Sequence, residues 1–528
     1  MIPALTGTWG LTETSEARYA QISKEMFTSG DYLHPTLLGI QHYHKPPVTY
    51  YITSLGYSIF GANETGARFF LAIALLIQLL LVYKITWLLY KNENISLAAT
   101  LIYFSYPLVQ AAAKNLTTDL YLTTFIFTAV YTFILYRQQQ RSRFLYLFYI
   151  FCGLAFLTKG PVGLMPQGLF AIFYSRIQRM DKRPGVHAFI APLIGLIICA
   201  SWFLVLVINN PAFLDYFVKH QLVDRVASDA FSRAKPWWYY LLTIPLLAMP
   251  AFMYFVGYLR GLFLKRQFVP VSKAILLSLG ISLVVFSLSS SKLVFYVLPL
   301  YLFIVILSAK HIVTITEKNR SHFEKVALIF STIIFCSMIA ACFIPTDFVI
   351  PLIPVLVFCG LGLVISFLVF FNKKLTLLKA PLLSAIFMVI ITLLMPFIMK
   401  RNEVGINSVK PLAAFIKTQS GGKPGASIMV YDQLLPSLNF YTGKNIITIY
   451  NSNNKARREI QFEDSLQKGT KNYIDLSLGK DSSSVFNTTA PPPGFIIAKP
   501  DRDIPDSLFY LRAHLKNRIV KEKWIVYY

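Results

Sequence analysis

Charge is scarce in this chain, and negative charge is scarcest. Only 14% of its 528 residues are charged, and 25 Asp and Glu stand against 50 Lys and Arg. Soluble domains carry about 25% charged residues. A chain this poor in charge, 55% hydrophobic and with a mean hydropathy of +0.54, is an integral membrane protein. Cysteine is sparse too. Cys152, Cys199, Cys336, Cys342 and Cys359 all fall inside apolar runs, which excludes a disulfide framework and a metal-ligand spacing. There is no internal repeat, no low-complexity segment and no Gly-rich loop of the kind that cradles a nucleotide's phosphates. The start, MIPALTGTWG, lacks the charged region and apolar core of a cleavable signal. The net charge of +25 would suggest nucleic acid in a soluble chain. Here basic cytoplasmic loops account for it, and no nucleic-acid partner is expected.

What is present is apolar length. Runs of roughly spanning length fall near 66–90, 95–113, 119–136, 144–158, 161–175, 187–208, 241–259, 271–288, 294–309, 326–344, 349–371 and 381–399. The fourth and fifth are separated at Lys159-Gly160-Pro161, because Gly and Pro break helices. Alternate loops are rich in base, among them those holding Arg137–Arg143, Arg176–Arg183, Arg260–Arg266, Lys310–Lys325 and Lys373–Lys379. The short loops of the other face carry only Lys114, Lys159 and Lys292. The basic set is cytoplasmic by the positive-inside rule, which leaves both the opening segment and the tail outside. An external start is accounted for by one further helix ahead of Met1. Three blocks are therefore expected. Residues 1–65 form a first extracytoplasmic loop with interfacial helices, and 66–399 form a bundle of about 12 helices. Residues 400–528 form a small soluble α/β domain, with strands in ASIMVYD, NIITIY and GFIIAKP and helices in PLAAFIKTQ and SLFYLRAHLKNRI.

The opening block is polar. EARYAQISKEMF reads as a helix whose Ala17, Ala20 and Phe27, with Tyr19 and Met26, make an apolar side suited to a membrane surface. Thr14 or Ser15 is placed to cap it. VTYYITSLGYSIFG is a second such helix, and HKPP between them forces a turn and an extended backbone.

The stretch SEARYAQISKEMFTSGDYLHPTLLGIQHYHKPPVTYYITSLGYSIFGANETGARF resembles the first external loop of bacterial GT-C fold glycosyltransferases, in the superfamily of the protein O-mannosyltransferases and lipid A aminoarabinose transferases. TTDLYLTTF around Asp119, LAFLTKGPVGL at Lys159, KPWWYYL at 235–241 and SLSSSKLVFYVLPLY around Lys292 and Tyr296 extend the resemblance, in order, over residues 10–310. It implies an α-helical polytopic membrane protein of GT-C type with a small extracytoplasmic α/β domain, in the bacterial inner membrane. The implied donor is a sugar on a polyprenyl phosphate, and the acceptor a lipid A, a glycan or a protein at the outer face. An acceptor hydroxyl or phosphate attacks the anomeric carbon and the lipid phosphate leaves. An acid serves as general base and cations stabilise the phosphate. No cofactor is required, and a divalent metal is compatible.

Two departures from the family pattern stand out. The family's acidic pair is Ser15-Glu16 here, and its Glu-Lys-Pro is His44-Lys45-Pro46. A serine is no base at neutral pH. Either Glu16, Glu13, Asp119 or His44 takes that role, or the acceptor is an already ionised phosphate, or the protein binds a lipid-linked sugar without transferring it. The resemblance makes Arg18, Lys45, Lys159, Lys292 and Tyr296 the donor-phosphate group; an Arg fork and Lys point charges both suit phosphate. In the long outer loop, His220 and Arg225, with Asp224 beside them, are acceptor-contact residues. Blander roles stand against each of these. Glu16 and Asp119 suit helix N-termini, Arg18 and Lys45 suit interfacial anchors, and Trp237, Trp238 and Tyr239 suit an aromatic belt. His34 and His42 read as structural. A lipid or glycan transporter would need charge in mid-span, and the spans are nearly free of it.

Overall fold

Apolar runs without an internal break become long helices in the computed structural model, which describes residues 7–13, 15–178, 185–219, 235–265, 269–420, 427–460, 462–463, 472–476 and 494–528. His220, Asp224 and Arg225 lie outside the described residues. Two compact units emerge where the sequence suggests three blocks. One is Phe69–Ile398 with Met1–Gly7; the other joins Thr8–Arg68 to Met399–Tyr528. The opening loop and the tail are thus one folding unit.

In the helical unit and the helices that lead into it, nine helices among the described residues are long and apolar enough to cross a membrane. They are Glu64–Tyr90, Thr118–Gln139, Ser142–Lys159, His187–Asn209, Pro270–Leu288, Val294–Thr314, Glu317–Ala341, Leu352–Phe371 and Lys379–Arg401. Large apolar side chains such as Leu80, Leu196, Ile353 and Leu368 are exposed on them, as lipid-facing residues are. The chain is a multi-pass membrane protein of mostly helical architecture. The other three expected spans are broken. Run 95–113 becomes Glu93–Phe104 and Pro107–Ala112, since Pro107 has no N–H for a continuing helix and sits well at a new start. Run 161–175 opens as a tight turn, Pro161–Leu164, before the helix Met165–Ile177. Run 241–259 divides into Tyr239–Leu246 and Phe252–Lys265. Inside the bundle, Gln78 Nε2 donates to the Leu120 carbonyl at 2.9 Å and to Thr124 Oγ1 at 2.8 Å, and the Tyr103 hydroxyl donates to Gln78 Oε1 at 2.6 Å. That network pins three helices by polar contacts, where apolar attraction between helices is weak.

The second unit is built on a sheet. A short hairpin, β1 (Thr36–Leu37) and β2 (Ile40–Gln41), belongs to the opening loop. The tail supplies β3 (Ile428–Tyr431), β4 (Ile446–Tyr450), β5 (Tyr473–Asp475), β6 (Phe495–Ala498), β7 (Arg518–Lys521) and β8 (Trp524–Tyr527) in the order β5-β4-β3-β6-β8-β7. The first four run parallel, and β8 runs antiparallel to β6 and β7. The continuous apolar runs of β3, β4 and β6 follow from burial on both faces. On one face Ile428, Val430 and Ile497 pack with Leu412 and Ile416 of the helix Lys410–Gln419, and with Leu438 of the helix Pro436–Thr442. On the other, Met429, Tyr431 and Ile447 meet Ile504 and Leu511.

Two local expectations change. SLFYLRAHLKNRI is a short tight turn, Asp506–Leu511, followed by strand β7, whose residues gain ladder hydrogen bonds with β8 that a lone helix would forgo. The opening helix, Ser15–Ser29, does not lay its apolar side on a membrane. Ala17, Ala20, Ile22 and Met26 are buried, and Ile22 and Met26 join the same core as Leu412 and Val430. The helix Val48–Phe60 does keep an apolar stripe outward, with Tyr51, Leu55 and Ile59 exposed at four-residue spacing.

Candidate active site

In the helical unit, three residues from separate motifs meet. Asp119 lies in the first turn of Thr118–Gln139, and Lys159 ends Ser142–Lys159, where Gly160 takes a φ of 85° that a side chain would resist. Tyr296 lies in the tight turn Val294–Leu300. Lys159 Nζ pairs with Asp119 Oδ1 and stands 3.8 Å from the centroid of the Tyr296 ring, and both charged side chains are buried. Taking two charges out of water is costly, and the ring face offsets part of that for the ammonium. Tyr240 joins the group: burial pushes its phenol up, and the charges of Tyr296 and Asp119 push the same way. Its hydroxyl donates to the Leu293 carbonyl at 3.1 Å.

Lys292, expected on the donor phosphate, is occupied otherwise. Its buried ammonium donates to the Lys235 carbonyl at 2.8 Å and to the Ser289 carbonyl at 2.6 Å, so it ties the loop before Tyr296 to the segment before Tyr240. Trp237 and Trp238 are exposed, as belt residues are.

In the second unit, Glu16 is no free acid. Its oxygens accept from Arg68 Nε at 2.7 Å, Arg68 Nη2 at 2.8 Å, and the Thr12 amide and hydroxyl at 2.9 and 3.0 Å. A carboxylate bonded to this extent, and buried, is a poor proton acceptor. Ser15 is half-buried at the helix start. Glu13 has its Oε1 on the Ser437 amide at 3.0 Å and the Ser437 hydroxyl at 2.5 Å. Burial pushes its carboxyl up to about 7, against the Ser437 hydrogen bonds and the charge of Arg18.

Arg18 and His44 meet at a residue with no mark in the sequence. Glu459 is buried and accepts from Arg18 at 2.9 Å, from His42 Nε2 at 2.8 Å and from Arg458 at 3.0 Å, with His44 Nδ1 3.5 Å away. The His42 and His44 rings are 4.1 Å apart. Burial alone would raise the Glu459 carboxyl, but Arg18 and the two imidazoles hold it well below the usual range; burial holds His42 down. His42, His44 and Glu459 each offer a ligand atom within 4.8 Å of the others, so they could hold a divalent ion, in competition with the Arg18 guanidinium already on that carboxylate. Lys45 is half-buried next to His44 in sequence.

The family of dolichyl-phosphate-mannose-protein mannosyltransferases matches residues 44–204. An undecaprenyl phosphate-alpha-4-amino-4-deoxy-L-arabinose arabinosyl transferase of Pseudomonas paraeruginosa is 30% identical over 294 residues, 55% of this chain and 53% of that protein. A second, from Pseudomonas fluorescens, is 32% identical over 299 residues, 55% of this chain and 50% of that one. The chain thus spans about half the length of the curated relatives it matches. The crystal structure of ArnT from Cupriavidus metallidurans bound to undecaprenyl phosphate superposes with a TM-score of 0.77 at 20% identity, covering 100% of this chain and 95% of that one. The chain is thus similar to the mannosyltransferase family over residues 44–204 and to these arabinosyl transferases over 55% of its length. The likeness in fold covers the whole chain.

Proposed function

We propose that the chain is a membrane glycosyltransferase. It moves a sugar from a polyprenyl phosphate to a lipid A, glycan or protein acceptor at the extracytoplasmic face of the bacterial inner membrane. The meeting of Asp119, Lys159 and Tyr296, drawn from three distant motifs, is the observation that carries this reading. Its position at helix ends is where a lipid's phosphate would stop while its tail stays in the apolar bundle. The matched Pseudomonas relatives are named for an undecaprenyl-phosphate aminoarabinose donor, which makes that donor the first to try.

The reaction breaks the bond from the anomeric carbon to the phosphate oxygen and forms one to the acceptor oxygen. The departing electron pair stays on the lipid phosphate. Lys159 and the Tyr296 hydroxyl take up that growing charge. Lys292 acts by holding the loop that carries Tyr296. A second reading, a relative that binds lipid-linked sugar without catalysis, is favoured by one observation: Ser15 replaces the expected acid, and Glu16 beside it is spent on Arg68. Purified protein in liposomes with labelled undecaprenyl-phosphate aminoarabinose and lipid A tests both. Label in lipid A establishes the transferase. Tight binding of undecaprenyl phosphate with no transfer to any acceptor class would leave only the binding reading.

A further inference from the structure

Four helices of the helical unit bring hydrogen-bond donors together at the end away from Tyr296. Tyr296 opens the span Val294–Thr314, and Lys310 lies roughly 20 Å further along it. There the Lys310 ammonium donates to the Ser272 hydroxyl at 3.3 Å and stands 5.2 Å from the centroid of the Tyr90 ring. The Tyr90 hydroxyl leans toward the same Ser272 oxygen without reaching full hydrogen-bond length. The Tyr258 hydroxyl reaches toward it too. Ser272 is the buried floor of this group, and Lys310, Tyr90 and Tyr258 stand half-buried around it.

The chemistry of the group is lopsided. A lysine offers three N–H donors and each phenol one O–H, while the serine oxygen has two lone pairs to receive them. No carboxylate pairs with Lys310 among the described residues. Glu93 and Glu317, the acids nearest in sequence to Tyr90 and Lys310, are exposed. A half-buried cation with spare donors around it and no acid is short of an anionic oxygen.

We propose that this cluster seats the phosphate of an anionic phospholipid headgroup. The unesterified oxygens of a phosphodiester accept and share one negative charge, which is what Lys310 and the two phenols lack. Basic pockets between helix ends suit such lipids. The surroundings favour a lipid over a free anion. Trp87 and the pair Phe263 and Leu264 are exposed on the helices that carry Tyr90 and Tyr258, so apolar surface for an acyl chain adjoins the donors. Lys91 and Lys273, exposed beside Tyr90 and Ser272 in sequence, add positive charge. A lipid held there ties four helix ends through one group, where apolar attraction between helices is weak. The site is separate from the donor site and does not rest on the glycosyltransferase reading.

The delipidated full chain in a nonionic detergent, titrated with phosphatidylglycerol, phosphatidylcholine or inorganic phosphate, tests this, with bound lipid counted by native mass spectrometry. Phosphatidylglycerol should bind about tenfold or more tighter than the zwitterionic lipid, and excess inorganic phosphate should leave it in place. Lys310→Met should weaken its binding about 10–100-fold in protein that remains folded. Lys318→Met, which removes an exposed cation outside the cluster, should weaken it no more than about fivefold. Losses of equal size in the two variants overturn the proposal, since the cluster would then be no more than part of a basic surface. Equal binding of the two lipids overturns it as well, and displacement by inorganic phosphate would make this a free-anion site instead. If Lys310→Met does not fold, Tyr258→Phe decides, because it removes one rim hydroxyl and no charge. Affinity for phosphatidylglycerol should then drop about threefold or more, and an unchanged affinity overturns the proposal.

Discussion

Glu16 and Arg68 form a two-pronged buried ion pair, Nε to Oε1 at 2.7 Å and Nη2 to Oε2 at 2.8 Å. Arg68 also donates to the Trp9 carbonyl at 2.9 Å and the Gly10 carbonyl at 3.3 Å, so one side chain ties three points of the opening segment. Removing one partner of such a pair strands a buried charge and costs about 3–5 kcal/mol. Arg68→Met should therefore lower the thermal midpoint sharply, and Arg68→Met with Glu16→Gln should recover part of that loss. Turnover per folded molecule in Glu16→Gln should stay within about threefold of wild type. Unchanged unfolding with abolished turnover in Glu16→Gln would make Glu16 the base.

A second prediction concerns the helical unit. Lys159→Met leaves Asp119 buried without its cation and removes a donor for the phosphate. A hydrogen bond to a charged group is worth about 1.5–3 kcal/mol, so kcat/KM should fall roughly 10–100-fold or more. Tyr296→Phe keeps the ring against the ammonium and removes only the hydroxyl, and its loss should be smaller. Transfer assays with matched undecaprenyl-phosphate binding check both. If Lys159→Met keeps full activity, the Asp119–Lys159 pair is a packing device.

These sites show how much the sequence made legible. Asp119, Lys159 and Tyr296 could be named because each sits in a local motif, but their meeting depends on how three helix ends converge, which no local pattern encodes. Glu459 had no motif at all; it lies 417 residues from His42, the imidazole that it bonds. Arg18 reads naturally as a free cation, and the fold gives it to that distant carboxylate. The apolar runs were legible wherever length alone decided. They misled at Pro107 and between Leu246 and Phe252, where a run of spanning length is not one helix, whereas the break expected at Lys159-Gly160-Pro161 is there. The opening helix was misjudged because an apolar stripe looks alike whether it faces lipid or a soluble core. Ile22 and Met26 found the core of the tail.

That shared core gives a third prediction. Ile22→Ala removes a fully buried side chain from a core formed by the opening loop and the tail. The cost should be about 2–5 kcal/mol. Proteolysis should then open the region 399–528 together with the opening loop. If the tail keeps wild-type resistance, the two do not fold as one.

The fourth prediction sets acids of opposite sign against each other. Glu459 is held below its ordinary 4.5 by Arg18 and the imidazoles, so its stabilisation is present above that pH and is lost as pH falls below it. His42, held below 6.5 by burial, adds to the same trend: the unfolded chain takes up a proton below 6.5 that the folded one refuses. Glu13 runs the other way. With its carboxyl raised from 4.5 to about 7, the folded protein holds a proton across that window that the unfolded chain releases. Its contribution is full below 4.5 and fades as pH climbs through 7. A neutral Gln has no such fade. Measured against wild type, Glu13→Gln should therefore gain stability between pH 5 and pH 8, by roughly 1–3 kcal/mol, since a tenfold change in proton affinity is worth about 1.4 kcal/mol. Glu459→Gln should instead flatten the loss of stability below pH 4.5 and leave the neutral range without that gain. Thermal midpoints of the three proteins at pH 4, 5, 6.5 and 8 separate the two trends. A Glu13→Gln difference that does not change with pH would mean that the carboxyl is solvated and titrates normally.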